Sequence, residues 1–215
     1  DFETREGYKP YIENYFIYLP DAYDSHAGVT ATEVYRAAAA HAAAHLVETK
    51  QPISAEGLSP MQMAVISVIE DARVEALAIR RFPGLRKTWA ALHTATPDRA
   101  VTMGDYLNRL ARALLDPDYQ DNDRWIIEGR QLFAAAQDKL DTYQISWDIG
   151  VQLTHSFREK NIPFAMLSDQ LTAPYRDDNR YFWEFEEFDL NKSLSAGYEA
   201  PKQVRKYVNV MEFAN

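Results

Sequence analysis

The sequence predicts an all-α fold, a multi-helix bundle with an aromatic-rich N-terminal arm and an irregular C-terminal segment. Three observations lead to this prediction. Glycine is scarce, with 8 among 215 residues. Several stretches are rich in alanine, leucine and arginine, which favour helices. Prolines stand between these stretches, where they end helices instead of interrupting them. This low glycine content, together with these stretches, favours helices over a β-sandwich or a doubly wound sheet.

The arm comprises residues 1–28, and we expect it to pack on the helical body. Aromatic side chains recur in it too often for a solvated tail, at Tyr8, Tyr11, Tyr15, Phe16, Tyr18 and Tyr23. Residues 29–195 are predicted to be the helical domain, and 196–215 a linker or an edge segment. Because the chain begins with Asp1 and not with Met, we expect a piece of a longer protein.

The first helix is predicted over residues 30–48. Alanine occupies nearly every side of it, which predicts a central helix that its neighbours approach closely. The second helix, over 61–81, has the clearest start, because Ser59 is a typical N-cap, Pro60 suits the first helical position and Gln62 completes a capping box.

Four further helices are predicted, over residues 85–92, 103–115, 122–143 and 144–160. Residues 162–179 contain two prolines and are predicted to be a loop. Residues 180–188 alternate aromatic and acidic side chains only in part, so the pattern leaves helix and strand open there.

The composition excludes several classes of function. There are 23 Lys and Arg against 32 Asp and Glu, so the formal charge of -9 argues against a nucleic-acid binder. The chain has no Cys, which excludes disulfides, Cys zinc sites and thiol catalysis. No apolar run approaches the roughly 20 residues that cross a bilayer. We therefore expect a cytoplasmic protein without a membrane span.

His41 and His45 stand four residues apart on the first helix and so share one face. This spacing can offer two imidazoles to one zinc ion, and Glu70 of the next helix could be the third ligand. Ala42, however, stands where zinc proteases carry the glutamate that serves as general base. In the alternative, which we favour because a metal site needs three convergent ligands, both imidazoles bond to carboxylates across the bundle, Glu70 among them.

The second helix also carries Asp71, Arg73 and Glu75, which predict a structural polar network. Asp71 and Glu75 are four residues apart and repel each other unless a cation meets them. We expect that cation to come from the basic residues just downstream, Arg80, Arg81, Arg86 and Lys87. Arg73 is predicted to be buried and bonded to at least one carboxylate, because apolar residues share its face.

The remaining histidines and short motifs predict neither catalysis nor metal binding. His26, His93 and His155 are isolated in the sequence, so we expect surface or capping roles. Residues 189–193 partly match the Asp-x-Ser-x-Ser metal loop of von Willebrand A domains but depart from it at Asn191, and we expect a turn. The sequence has no glycine-rich phosphate loop, nucleophile elbow or Rossmann fingerprint, and no catalytic residue or cofactor-binding residue is predicted.

Three stretches resemble the N-terminal part of the NorD/CbbO family: YRAAAAHAAAH over 35–45, VIEDARVEALAIRRFPG over 68–84 and RDDNRYFW over 176–183. Members of that family are accessory proteins paired with MoxR-type AAA+ ATPases. One branch serves nitric oxide reductase maturation, and the other is the adaptor of a bacterial rubisco activase. The resemblance is dense over about residues 30–95 and returns at 172–190.

The resemblance implies a non-catalytic helical domain at the N-terminus of a longer adaptor, followed by a C-terminal von Willebrand A domain beyond this chain. The implied partners are an ATPase ring and a client enzyme, with rubisco slightly favoured over nitric oxide reductase. The family's His-x-x-x-His and Glu-Asp-Ala-Arg-Val-Glu positions fall here on His41, His45, Glu70, Asp71, Arg73 and Glu75. Two alternatives stay open: an inactive or atypical zinc-peptidase-like metal-binding domain, and a purely structural scaffold.

Overall fold

The computed structural model describes residues 9–98, 102–160, 162 and 173–185. Helices dominate this part of the chain, which confirms the predicted all-α multi-helix bundle. The helices that it contains are α1 (Ala31–Glu48), α2 (Pro60–Arg81), α3 (Gly84–Ala90), α4 (Met103–Leu115), α5 (Arg124–Ala135) and α6 (Gln144–Phe157). None of the described helices combines the length and apolar character that crossing a bilayer requires. The expectations for residues 1–8, 163–172, 189–193 and 196–215 lie outside the described residues.

Helices α1 and α2 each begin directly after a residue whose side chain caps the helix N-terminus. Thr30 caps α1 and forms a reciprocal capping box with Glu33. Ser59 caps α2 in the same way with Gln62, and Pro60 occupies the first turn. Each box satisfies backbone N–H groups that a helix start leaves without partners, which fixes where α1 and α2 begin.

The central helix is α2 and not, as the alanine pattern predicted, α1. Helices α1, α3, α4 and α6 all pack against α2. Helix α1 buries one face, while Tyr35, Arg36 and Ala43 on its other side are exposed. Alanine permits close approach on every side but does not demand it, because its small apolar surface can face water at little cost.

Helices α2 and α6 approach each other closely at Gly150. A Cβ atom on Gly150 would lie 2.9 Å from the Cα atom of Ile66, which is closer than real Cβ atoms come. The missing side chain therefore lets the two backbones meet. This contact fixes the position of α6, which also carries Ser146 into the polar core.

The fifth and sixth helices are shorter than predicted. Helix α5 ends at Ala135 and is followed by a 3-10 turn at Gln137–Lys139, and α6 gives way to another at Arg158–Lys160. Helix α5 ends because the backbone leaves the α-helical region at Ala136, where φ is −93° and ψ is 4° and the N–H is shared between the carbonyl oxygens of Leu132 and Phe133. Beyond this break, the carbonyl oxygen of Leu140 accepts a hydrogen bond of 2.8 Å from Arg73 Nη1.

Two small sheets tie the ends of the described chain to the bundle. Strands β1 (Tyr11–Glu13) and β2 (Phe16–Tyr18) form an antiparallel hairpin. Strands β3 (Ile53–Ser54) and β4 (Trp183–Glu184) pair in parallel, so the ambiguous stretch is a strand at these two residues. In the arm, Leu19 and Tyr23 pack against the hydrophobic cluster that includes residues of α1 and α3.

We predict that Gly150→Ala destabilises the protein by about 1–3 kcal/mol, because the added methyl group must push α6 away from the backbone of α2. Gly84→Ala is the matched control, since a Cβ there meets nothing within 4 Å. Urea unfolding measures both. A Gly150→Ala variant as stable as the control would show that α2 and α6 are not in backbone contact.

Candidate functional site

A polar cluster lies inside the bundle, between α1, α2 and the segment 173–185. Helix α1 contributes His41 and His45, which are fully buried on the face that packs against α2. Helix α2 contributes Asp71 and Glu75, and segment 173–185 contributes the neighbouring residues Tyr175, Arg176 and Asp177. All of these side chains are buried, so their charges must be balanced within the cluster.

Four of these residues converge on one point. His41, His45, Asp71 and Asp177 each place one nitrogen or oxygen atom within 4.8 Å of all the others. The Nε2 atom of His45 lies 3.3 Å from Asp71 Oδ1 and 3.7 Å from Asp177 Oδ1. The Nε2 atom of His41 lies 3.9 Å and 3.4 Å from the same two oxygens. Such a group can hold a metal ion.

The second nitrogen of each imidazole faces away from this group. His45 Nδ1 lies 3.1 Å from the hydroxyl oxygen of Thr49, and that hydroxyl donates to Glu70 Oε1 at 3.2 Å. The hydroxyl therefore accepts from an Nδ1–H of His45, and the Nε2 atom of the same ring lies within hydrogen-bond distance of Asp71 Oδ1. His41 Nδ1 lies 3.2 Å from Glu75 Oε1.

Several atoms of the group lack a hydrogen-bond partner. Both ring nitrogens of His41 and both carboxylate oxygens of Asp177 are buried without one among the described residues. For His41 Nδ1 the distance to Glu75 is short enough, but the N–H direction is not aligned for a hydrogen bond. Burying a polar atom without a partner costs about 1–3 kcal/mol, so the group is incomplete with protein atoms alone.

The cation that meets Asp71 and Glu75 is Arg176. Its Nε and Nη2 atoms donate to the two carboxylate oxygens of Glu75 at 3.0 Å and 2.8 Å, and its Nη1 atom lies 3.4 Å from Asp71 Oδ2. The expectation of a downstream cation was wrong. The predicted residues are used elsewhere: Arg81 pairs with Glu48, Arg80 and Arg86 donate to the carbonyl oxygens of Gln137 and Leu115, and Lys87 is exposed.

Glu70 stands apart from the four converging residues. It accepts hydrogen bonds of 2.8 Å and 2.7 Å from Arg73 and one of 2.8 Å from Ser146. The structure therefore does not bring the predicted ligand Glu70 together with His41 and His45. Arg73 is 1% exposed and bonded to a carboxylate, as predicted, and also donates to the carbonyl oxygen of Glu48.

The electrostatics of the cluster are dominated by its carboxylates. Burial would lower the pKa of His41, but its contacts with Asp177 and Glu75 and the charge of Asp71 raise that pKa to about 9. Burial would raise the pKa of Glu75, but the charge of Arg176 and the contact with His41 hold it well below its usual range. The cluster therefore attracts positive charge, and Glu75 stays ionised.

His93 lies beside this cluster and is buried, so its predicted surface or capping role was wrong. Its Nε2 atom lies 2.9 Å from the hydroxyl oxygen of Tyr175, and that hydroxyl donates to Glu75 Oε1 at 2.8 Å. Burial and the charge of Arg176 lower the pKa of His93 to about 3. His93 is therefore a neutral donor that orients Tyr175. His26 is half-buried, and His155 is exposed.

Comparison with known proteins identifies no relative: no family model, no curated protein and no solved structure matches the chain. The resemblance to the NorD/CbbO family therefore remains an expectation based on its three sequence stretches.

We predict that Arg73→Ala lowers the free energy of unfolding by about 3–5 kcal/mol, because it leaves the buried carboxylate of Glu70 without its cation. Arg180→Ala is the control. Its side chain is 41% exposed and that of its partner Asp178 26%, so we expect a loss of about 1 kcal/mol or less. Thermal and urea unfolding compare the two variants. Equal stabilities would contradict a buried Glu70–Arg73 pair.

Proposed function

We propose that this chain is the non-catalytic N-terminal domain of an adaptor that couples a MoxR-type AAA+ ATPase ring to a client enzyme. Rubisco is the first client that we propose and nitric oxide reductase the second. These partners would place the domain in the cytoplasm. Beside the sequence resemblance, one structural observation carries the proposal: an aromatic face on the N-terminal hairpin, formed by the exposed Tyr15, Phe16 and Tyr18 and the half-buried Tyr11.

The hairpin separates its apolar and aromatic side chains onto two sides. Ile12 pairs with Ile17, and Ile12 is almost completely buried. Because neighbouring residues of a strand point to opposite faces, the pairs on either side of these two point outward. Tyr11 and Tyr18 form one of those pairs, with their rings stacked at 4.6 Å. The outer face of the hairpin therefore carries the rings of Tyr11, Tyr18 and Phe16 together with the exposed side chain of Glu13.

The turn of the hairpin exposes the largest rings. Asn14 and Tyr15 have φ angles of 49° and 65°, which suit a two-residue turn but are unfavourable for a tyrosine. Tyr15 is 79% exposed and Phe16 68% exposed. Large neighbouring aromatic side chains held in water are typical of interaction surfaces, where tyrosine in particular supplies anchor residues.

Both aromatic-rich ends of the described chain contribute to this surface. The rings of Tyr15 and Tyr181 are in edge contact at 6.2 Å, and the guanidinium of Arg180 lies 4.1 Å from the ring centre of Tyr11. The backbone N–H of Asp178 donates to the carbonyl of Pro10 at 3.1 Å. The hairpin is therefore held on segment 173–185, which supports a rigid surface for a partner to dock on.

The observations favour this role over a zinc-peptidase-like activity. Ala42 occupies the position of the general base, so a metal-bound water would lack its proton acceptor there. A cavity of about 20 Å³ adjoins Asp71 and Arg176, which is room for about one water and not for a peptide.

We predict that the double change Tyr15→Ser and Phe16→Ser, made in the longer protein that carries this chain, weakens its binding to the cognate ATPase at least tenfold. Loss of two aromatic anchors accounts for an effect of that size. Phe82→Ser is the matched control, because Phe82 is 65% exposed but lies at the end of α2. Pull-down and binding titration measure the effect, with thermal melts to verify that both variants fold.

Undiminished ATPase and client binding by the double variant would contradict the proposed role of the aromatic face. Undiminished binding by a protein that lacks residues 1–215 altogether would contradict the adaptor role of the domain itself.

A further inference from the structure

We propose that His41, His45, Asp71 and Asp177 bind one divalent metal ion of the zinc type, and that this ion is structural. The inference is independent of the adaptor role. It changes the ligand set expected from the sequence, because Asp71 and Asp177 take the place of Glu70.

The spacing of the four residues suits a tetrahedral shell. Ligand atoms about 2.1 Å from a central zinc ion stand about 3.4 Å from one another when the angles are tetrahedral. The four separations between imidazole Nε2 and carboxylate Oδ1 atoms are 3.3, 3.4, 3.7 and 3.9 Å. Shifts of about half an ångström or less bring these four of the six edges to the zinc geometry, and the other two edges, between the two imidazoles and between the two carboxylates, lie within 4.8 Å.

The orientation of the two imidazoles is that of metal ligands. Each ring directs Nε2 to the common point and Nδ1 to an oxygen atom behind it, Thr49 Oγ1 for His45 and Glu75 Oε1 for His41. Ligating histidines ordinarily donate their second N–H to such an oxygen. His45 Nδ1 forms this hydrogen bond with Thr49, and His41 Nδ1 lies 3.2 Å from Glu75 Oε1 without the alignment of a hydrogen bond.

Two of the four atoms of His41 and Asp177 that lack hydrogen-bond partners in the described chain are atoms that the ion would bind. His41 Nε2 and Asp177 Oδ1 face the common point and are buried without a partner among the described residues. The other atoms of the site are already oriented, because Arg176 contacts Asp71 through Oδ2 and leaves Oδ1 for the shell. A bound cation would satisfy these atoms together.

The charge of the site also matches a divalent ion. Among the described side chains of the cluster, Asp71, Glu75 and Asp177 are three carboxylates, and Arg176 is the one guanidinium that pairs with them. A bound ion takes the place of the proton that His41 otherwise carries, because a ligating imidazole is neutral. The three carboxylates and Arg176 then leave two buried negative charges, which a divalent cation cancels. Two imidazoles and two carboxylates in a tetrahedral shell are a donor set suited to zinc.

The site is closed, which favours a structural role. Four protein ligands fill a tetrahedral zinc shell and leave no open position for a substrate. The ligands come from α1, α2 and segment 173–185, so one ion joins three parts of the chain that are distant in sequence. Metal binding of this kind stabilises the folded state directly.

The test uses the protein purified without chelator and without added metal. We expect one zinc ion per chain by elemental analysis. Removal of the ion with EDTA lowers the melting temperature, and Zn²⁺, unlike Mg²⁺, restores it. Cobalt substitution provides a second readout, because Co²⁺ in this site shows the intense visible absorption of a four-coordinate ion.

The matched variants are Asp177→Asn and Asp178→Asn. Asp177→Asn removes a charged ligand with little change of shape, and we expect it to weaken zinc binding at least tenfold. Asp178 is the next residue and pairs with Arg180, so Asp178→Asn should bind zinc as the parent does.

Three results would overturn the proposal: a parent protein that neither contains zinc nor gains thermal stability from it, a cobalt spectrum of six-coordinate type, or equal zinc affinities of the two variants. The first two results are measured on the parent protein, so they decide the question even if a variant fails to fold.

Discussion

The buried negative charge of Asp71, Glu75 and Asp177 is the constraint on which the rest of the structure depends. Charged groups leave water only when they are paired and hydrogen-bonded. Arg176 meets this requirement for Glu75 and partly for Asp71, while Asp177 and the imidazole of His41 have no hydrogen-bond partner in the described chain. Tyr175, His93 and Thr49 act around this centre by fixing the orientation of the groups that face it.

The centre also connects the core to the surface that we propose as the adaptor's docking face. Segment 173–185 supplies Arg176 and Asp177 to the cluster, and its next residues hold the hairpin through Asp178, Arg180 and Tyr181. The parallel pairing of Ile53 with Trp183 fixes the same segment from its other side. An ion bound by Asp177 would therefore stabilise the position of the aromatic face without contacting it.

Local features of this protein could be predicted from the sequence, and long-range ones could not. The capping boxes, the paired histidines on one face and the buried Arg73 follow from spacings within one helix. The choice between Glu70 and Asp71 does not, because adjacent helical residues point about 100° apart and only packing decides which of them faces α1. Arg176 and Asp177 lie about a hundred residues downstream of α2. The charged stretch at 176–180 was visible, but nothing local pairs it with α2.

The central claim is that a metal ion completes the buried cluster, and anomalous X-ray diffraction tests it most directly. Crystals grown without added metal would be measured on both sides of the zinc absorption edge. The account predicts one anomalous peak, present only above the edge, within bonding distance of His41, His45, Asp71 and Asp177. Well-ordered side chains at these four positions with no anomalous peak between them, or with a water molecule in its place, would contradict it.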